Sequence, residues 1–393
     1  MTDAVLQSSL SDPAWNRDDV DRRAPDRAGL RPVFSHAIAP EQWDALAASF
    51  DGICQEQTCA FSAGRWPSLR LEPRLFRIGD EVVGGALVMT RSLPFGLGTL
   101  AICKWAPMLK NAERPDRLPL YRGMVEALIE EFANRRGAIL SVLPRALAVD
   151  DDKHAEILSE RGFRAGSNVP FPDRYLVNLQ IGDAEQRASL DQKWRYHLKR
   201  AFKSGLTFER ADASAFGEFD RLYRAMSERK KFPDYSAYRS LKSMFEMPEQ
   251  LRPELFFVRK DAAIVAGAVI FKAGDTTSYM YGATTDEALP LRAGYFLQWQ
   301  IIAWLRENTK ARWYDLGGTD GFTGLHQFKK GLVGDAGRIV TLAPIAHYAA
   351  SRHMLALGCF AFDVRDLLLE ARHRVRLLWS DQARPDQRRP SSG

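Results

Sequence analysis

Leu255-Phe256-Phe257-Val258, the turn Arg259-Lys260-Asp261, and then Ile264-Val265-Ala266-Gly267-Ala268-Val269-Ile270 form the stretch on which the reading of the fold rests. Two runs of apolar, β-branched and aromatic residues around a short polar turn predict a two-stranded hairpin. Gly267, in the middle of the second run, predicts a bulge or a place where another group approaches the backbone. The same arrangement occurs earlier, as Leu75-Phe76-Arg77-Ile78, the turn Gly79-Asp80-Glu81, and Val82-Val83-Gly84-Gly85-Ala86-Leu87-Val88, with Gly85 in the place of Gly267. One such glycine is ordinary; two in register indicate a repeat.

The repeat extends outward. Helices are predicted at 40–50 and 214–229, before the two hairpins, and amphipathic helices at 121–135 and 294–308 after them, followed by strands at 138–143 and 312–316. The fold class is therefore α/β (α+β): a tandem duplication in which each half is a mixed sheet flanked by helices. Residues 32–175 form the first domain and 176–347 the second, which carries the main motifs. Residues 1–31, rich in Asp, Arg and Ser, and 381–393 are expected to be disordered tails. Residues 348–380 mix leucines and phenylalanines with five arginines, and predict a basic amphipathic helix for packing or for contact with an anionic membrane face.

At 393 residues and 46% hydrophobic, the chain can bury the core of two domains. The formal charge of +6 favours anionic partners without requiring them. Cys54, Cys59, Cys103 and Cys359 are too few and scattered for a disulfide framework, and no Cys-x-x-Cys or His cluster points to a metal. No metal and no bound cofactor are expected. The start lacks the apolar core of a signal peptide, and no window reaches the roughly 18 apolar residues of a membrane span, so a cytoplasmic location is expected, peripheral at the inner face of the membrane at most.

Chemistry concentrates further on. Trp313-Tyr314-Asp315-Leu316-Gly317-Gly318 is an apolar run ending on two glycines, and Phe328-Lys329 follows, expected on a loop or short strand. Trp313, Tyr314 and Leu316 would anchor the strand, Gly317 and Gly318 would let a molecule approach the backbone, and Lys329 would bring a positive charge to that opening. The bland counterpart is a tight turn and a solvated lysine. A second cluster, Lys193, Arg195, Lys199, Arg200 and Lys203, lies on a predicted helix, with Arg195, Lys199 and Lys203 on one face and Lys193 and Arg200 on another. It reads as a solvated face or as a device for phosphate capture, in which a forked guanidinium suits a diphosphate.

The run Lys193-Trp194-Arg195-Tyr196-His197-Leu198-Lys199-Arg200-Ala201-Phe202-Lys203-Ser204-Gly205-Leu206, followed by Ile264-Val265-Ala266-Gly267, Tyr279-Met280-Tyr281-Gly282-Ala283, Tyr314-Asp315-Leu316-Gly317-Gly318 and Phe328-Lys329, resembles the Fem family of aminoacyl-tRNA-dependent peptidoglycan bridge transferases. The resemblance spans residues 33–348 and is more specific in the second half. It implies a doubled N-acetyltransferase-type (GNAT-like) fold and transfer of an aminoacyl group from charged tRNA to an amine of a peptidoglycan precursor or related envelope molecule. Aminoacyl-tRNA is then the co-substrate and the envelope amine the partner. By the same resemblance, Lys329 stabilises the oxyanion of the attacked ester, Phe328 packs beside the tRNA end, and Arg195 and Lys193 clamp a diphosphate, with Arg65 or Arg74 as their first-domain complement. Asp315 and His326 are candidates to accept the amine's proton, and Tyr281, with Tyr279, to line the cleft. Trp105-Ala106-Pro107-Met108 stands where the family carries a Gly-Pro pair.

Two other readings remain. An acyl-CoA-dependent GNAT acting in exopolysaccharide or envelope synthesis needs a pyrophosphate cradle with closely spaced glycines at a helix start. Leu291-Arg292-Ala293-Gly294-Tyr295 departs from that pattern, having one glycine and bulky residues behind it. The remaining alternative is a non-catalytic basic module that binds RNA or anionic glycan.

Overall fold

The computed structural model describes residues 32–93, 96, 98–145, 153–169, 171–230, 238–319 and 321–356. The two tails expected at 1–31 and 381–393 lie outside these residues, as does the part of the expected helix at 348–380 beyond residue 356; of its described start, Tyr348 ends a strand and 352–356 are helical. No helix among the described residues is long and apolar enough to cross a membrane.

The strands are β1 Phe34–Ala37, β2 Arg70–Ile78, β3 Glu81–Ser92, β4 Thr99–Lys104, β5 Met108–Leu109, β6 Ile139–Leu143, β7 Arg164–Ala165, β8 Asp173–Asn178, β9 Leu206–Ala211, β10 Glu254–Lys260, β11 Ala263–Phe271, β12 Thr276–Thr284, β13 Trp313–Asp315, β14 Arg338–Thr341 and β15 Ala346–Tyr348. The helices are α1 Pro40–Ala47, α2 Cys59–Arg65, α3 Arg117–Leu128, α4 Lys153–Glu160, α5 Asp183–Ser189, α6 Gln192–Phe202, α7 Phe216–Lys230, α8 Leu241–Met244, α9 Ala288–Leu291, α10 Ala293–Asn308 and α11 Thr323–Val333. A wider-wound segment, Ile129–Arg135, continues α3.

One sheet runs β1-β2-β3-β4-β6-β15-β7, with β5 on β3, and the other runs β14-β8-β13-β12-β11-β10-β9. The halves interlock. The expected boundary at 175 falls inside β8, which belongs to the second sheet, while β15 returns from the chain's far end to pair with β6 and β7 of the first.

The duplication shows in the registers. β2–β3 pairs Leu75 with Gly85 and Phe76 with Gly84, then slips past Val83 to pair Arg77 with Val82. β10–β11 pairs Phe257 with Gly267 and Val258 with Ala266, then slips past Val265 to pair Arg259 with Ile264. Each bulge thus sits two residues before the corresponding glycine. What approaches the glycines is packing. A Cβ at Gly85 would lie 2.7 and 2.8 Å from the rings of Trp43 and Phe50 and 2.9 Å from the Arg74 carbonyl, and one at Gly267 would lie 3.0 and 3.1 Å from Phe257 and Phe219. In both halves the helix preceding the hairpin, α1 or α7, lays a fully buried aromatic ring, Trp43 or Phe219, on the bare backbone.

Gly85 is hemmed in by backbone as well as rings, whereas Gly267 faces only rings that can give by a few tenths of an ångström. Gly85→Ala is therefore expected to cost about 2–3 kcal/mol and Gly267→Ala about 1 kcal/mol. Urea unfolding of the two variants checks the order as well as the size.

Candidate active site

In the third and fourth strands of each half the two copies diverge. β4 and β6 pair in parallel over five positions, from Leu100 with Ile139 to Lys104 with Leu143, and the Trp105 amide then donates to the Leu143 carbonyl at 2.7 Å. Two extra residues bulge out of the β4–β5 path between Cys103 and Met108, which pair with Val88 and Gly85. The fully buried Gln57 closes this gap, accepting from the Leu87 amide at 2.7 Å and donating to the Lys104 carbonyl at 2.6 Å. In the second half β12 and β13 pair over only three positions, ending at Ser278 with Asp315. β12 bulges at Met280, skipped between the Tyr279–Ile270 and Tyr281–Val269 pairs, and continues alone with β11 to Thr284. The second sheet therefore opens between Tyr279–Thr284 and Leu316–Gly318, where the first is zipped shut.

Lys329 stands beside this opening. It lies on α11, not on the loop or short strand expected from its sequence, and is 6% exposed. Its ammonium donates to the Leu316 carbonyl at 2.6 Å and to the Gly318 carbonyl. The turn between those carbonyls needs Gly317, whose φ of +75° few side chains adopt. The Gly317 amide donates to Asp315 at 2.7 Å. Asp315 also accepts from Arg174 at 2.6 and 3.0 Å, so its carboxylate is held by an ion pair and a turn amide. Burial works against the Arg174 charge, and the adjacent Asp315 more than offsets it, leaving the guanidinium's pKa above its ordinary value.

Behind Asp315, toward the start of β13, a cavity of about 280 Å³ lies on the seam between the halves. Pro107, Met108 and Arg145 line it from the first half, and Asp275, Arg312 and Trp313 from the second. Arg145 pairs with Asp275, and Arg312 bridges Asp275 at 3.6 Å and Glu113 at 2.9 Å. Here too burial opposes the Arg145 charge and Asp275 more than restores it. Arg174 stacks over Trp105 at 5.4 Å, tying the first-half bulge to the same network.

The remaining sequence candidates fall in different places. Arg195 is exposed and donates through one guanidinium nitrogen to the carbonyls of Ala188 and Leu190, which fastens α6 to the end of α5. Lys193 is exposed. Phe328 packs in an aromatic cluster with Trp194 at 5.7 Å and Tyr295 at 5.0 Å, and its carbonyl accepts from the Trp194 indole. Tyr281 is buried edge-on against Tyr223 and Tyr238. His326 hydrogen-bonds the Tyr175 hydroxyl. Arg74 is buried with Glu72 and Glu131, and Arg65 lies over Trp66. The sequence did not reveal Arg145 and Arg174, whose partners Asp275 and Asp315 are more than a hundred residues distant, and no local pattern marks them.

Residues 186–330 match the family described as acetyltransferase (GNAT) domain. No curated protein matches the sequence. Among solved structures, FemX is similar with a TM-score of 0.67, over 82% of this chain and 99% of its own, at 17% identity. A conserved protein of unknown function from Bacteroides thetaiotaomicron is similar with a TM-score of 0.53, over 80% of this chain and 98% of its own, at 11% identity. The fold is thus the doubled GNAT-like architecture, and the resemblance to the Fem family read from the sequence holds at that level.

The network sets a graded expectation. Arg174→Gln leaves the Asp315 carboxylate buried without its ion partner and should cost about 3 kcal/mol. Glu113→Gln, at the largely exposed end of the chain of charges, should cost less than about 1 kcal/mol. Equilibrium denaturation of both variants separates a buried pair inside the second sheet from an exposed one across the seam.

Proposed function

We propose that the protein is an acyltransferase of Fem type that moves an aminoacyl group from charged tRNA to an amine of a peptidoglycan precursor or a related cell-envelope molecule. The observation that carries this reading is Lys329: a buried ammonium fixed by two carbonyls beside the place where the parallel strands β12 and β13 part. The GNAT match over residues 186–330 supports acyl transfer, since it covers that opening.

In this reaction the acceptor amine attacks the ester carbonyl. A C–N bond forms, the C–O bond to the ribose breaks, and the leaving oxygen takes up a proton as the amine loses one. Negative charge develops on the carbonyl oxygen in between. An ammonium already in place stabilises it without reorganisation, an effect worth about 3 kcal/mol. Asp315, bound by Arg174 and Gly317, serves in this scheme to position the turn rather than to take the amine's proton. The acceptor is assigned to the seam cavity, where Met108 and Trp313 supply an apolar wall and the paired charges of Glu113, Arg145, Asp275 and Arg312 a polar one.

Incubation with labelled aminoacyl-tRNAs and lipid- or nucleotide-linked muropeptides, alongside labelled acetyl-CoA, is expected to show label moving from tRNA. Lys329→Ala should lower that transfer by about 10²–10³-fold. Label moving from acetyl-CoA alone would overturn the donor assignment. Transfer that survives Lys329→Ala would overturn the mechanism.

A further inference from the structure

α6 buries one side and presents the other to solvent. Trp194, His197, Leu198 and Ala201 are buried, while Lys193, Arg195, Tyr196, Lys199, Arg200 and Phe202, with Lys203 at the end of the helix, are exposed. At about 100° per residue, Tyr196, Lys199 and Lys203 fall on one stripe, with Lys193 and Arg200 on one flank and Arg195 and Phe202 on the other. From 191 to 203 the chain carries five lysines and arginines and one carboxylate, that of Asp191, which is turned toward α11: a Cβ on Gly331 would lie 3.2 Å from it. None of the five cations pairs with a carboxylate among the described residues, whereas Arg210, Arg259 and Arg306 of the same half do. Beside this face stand three of the six large apolar side chains exposed among the described residues, Tyr196 at 57%, Phe202 at 44% and Leu289 at 68%. Leu289 belongs to α9, just before α10, whose first turns pack Tyr295 on His197 and Phe296 on Phe202 of α6.

A basic face with no carboxylates to neutralise it suits an anionic partner, and the apolar side chains decide which. The rings already carry guanidinium partners: Arg200 lies over Tyr196 at 5.9 Å and Arg187 over Phe202 at 5.6 Å. Leu289 has no ring on which a base could stack, but it can enter the acyl boundary of a bilayer. Lysines and arginines around exposed aromatic and leucine side chains match the headgroup region of an anionic membrane, where the charges meet lipid phosphates and the apolar groups sink below them. We propose that the exposed side of α6, with Leu289, is a docking surface for an anionic membrane. The surface does not rest on the transferase reading; it adds to that reading a location, the bilayer on which a lipid-linked acceptor is presented. Docking there also orients the opening, because the Trp194 indole on the buried side of α6 donates to the carbonyl of Phe328, the neighbour of Lys329.

The test is co-sedimentation of the full chain with phosphatidylcholine vesicles, with and without phosphatidylglycerol, at low and high salt. Binding to the anionic vesicles alone, weakened by salt, is expected. Each cation near such a surface contributes about fivefold in partitioning, so Lys199→Gln combined with Lys203→Gln should lower binding about 25-fold. Leu289→Gln should lower it too, with the salt dependence unchanged, because it removes an apolar contact and no charge. All three positions are exposed, so Tm should hold. Binding that both variants leave intact places the contact elsewhere on the chain and overturns this surface. So does an absence of vesicle binding, and retention of RNA that depends on Lys199 and Lys203 would then assign the face to a nucleic acid. Binding lost in the variants upholds the surface whether or not transfer from tRNA is found. Transfer from tRNA without vesicle binding removes the surface and leaves the transferase reading. In the transfer assay the double variant should lose activity toward a lipid-linked muropeptide in anionic vesicles and keep it toward the nucleotide-linked one; equal loss on both overturns the membrane role.

Discussion

The parallel pairing of β12 with β13 stops after three residues, and the rest of the site follows from that stop. A parallel ladder satisfies backbone groups evenly along its length, so ending it early creates groups that something else must satisfy. On the β13 side the answer is Lys329 and Asp315. The lysine takes the carbonyls of Leu316 and Gly318, and the aspartate takes the Gly317 amide. On the β12 side the bulge at Met280 lets the strand continue with β11 alone. The first half shows the alternative solution to the same problem. Its equivalent strand bulges too, but Gln57 and the Trp105 amide close the gap, and the half becomes a rigid wall that delivers Arg145 to the seam.

Features written in local patterns were legible. Both hairpins, their central glycines and the helices before and after them depend on apolar periodicity and turn residues within a few positions of one another, which a sequence displays directly. α11 was not legible, because Gly324 and Gly331 lower its intrinsic helix propensity and make Phe328-Lys329 look like part of a loop. Tertiary packing overrides that propensity. A Cβ at Gly331 would lie 2.9 Å from the Trp194 ring, so the glycine is what lets α11 come close to α6. The crossing of β15 into the first sheet was equally hidden, since a three-residue strand carries no signal of its partner. The same holds for the buried charges. Arg174 and Asp315 are 141 residues apart and Arg145 and Asp275 are 130 apart, so only the fold makes them pairs.

Those pairs also bear on why the seam is built from charges. Apolar residues of similar volume would hold two halves together at least as well, because the desolvation of a buried ion pair consumes most of its attraction. What ion pairs add is intolerance of misalignment. A shift of one half against the other leaves Arg145 and Asp275 buried and uncompensated, at several kcal/mol, whereas a greasy seam would slide at little cost. Trp105 of the first half carries that alignment toward the opening, because it lies 5.4 Å from the Arg174 guanidinium, whose partner Asp315 also accepts from the Gly317 amide of the turn held by Lys329. The alignment of the halves and the placement of the ammonium are therefore linked: Trp105 meets Arg174, Arg174 holds Asp315, and Asp315 holds the turn whose carbonyls fix Lys329.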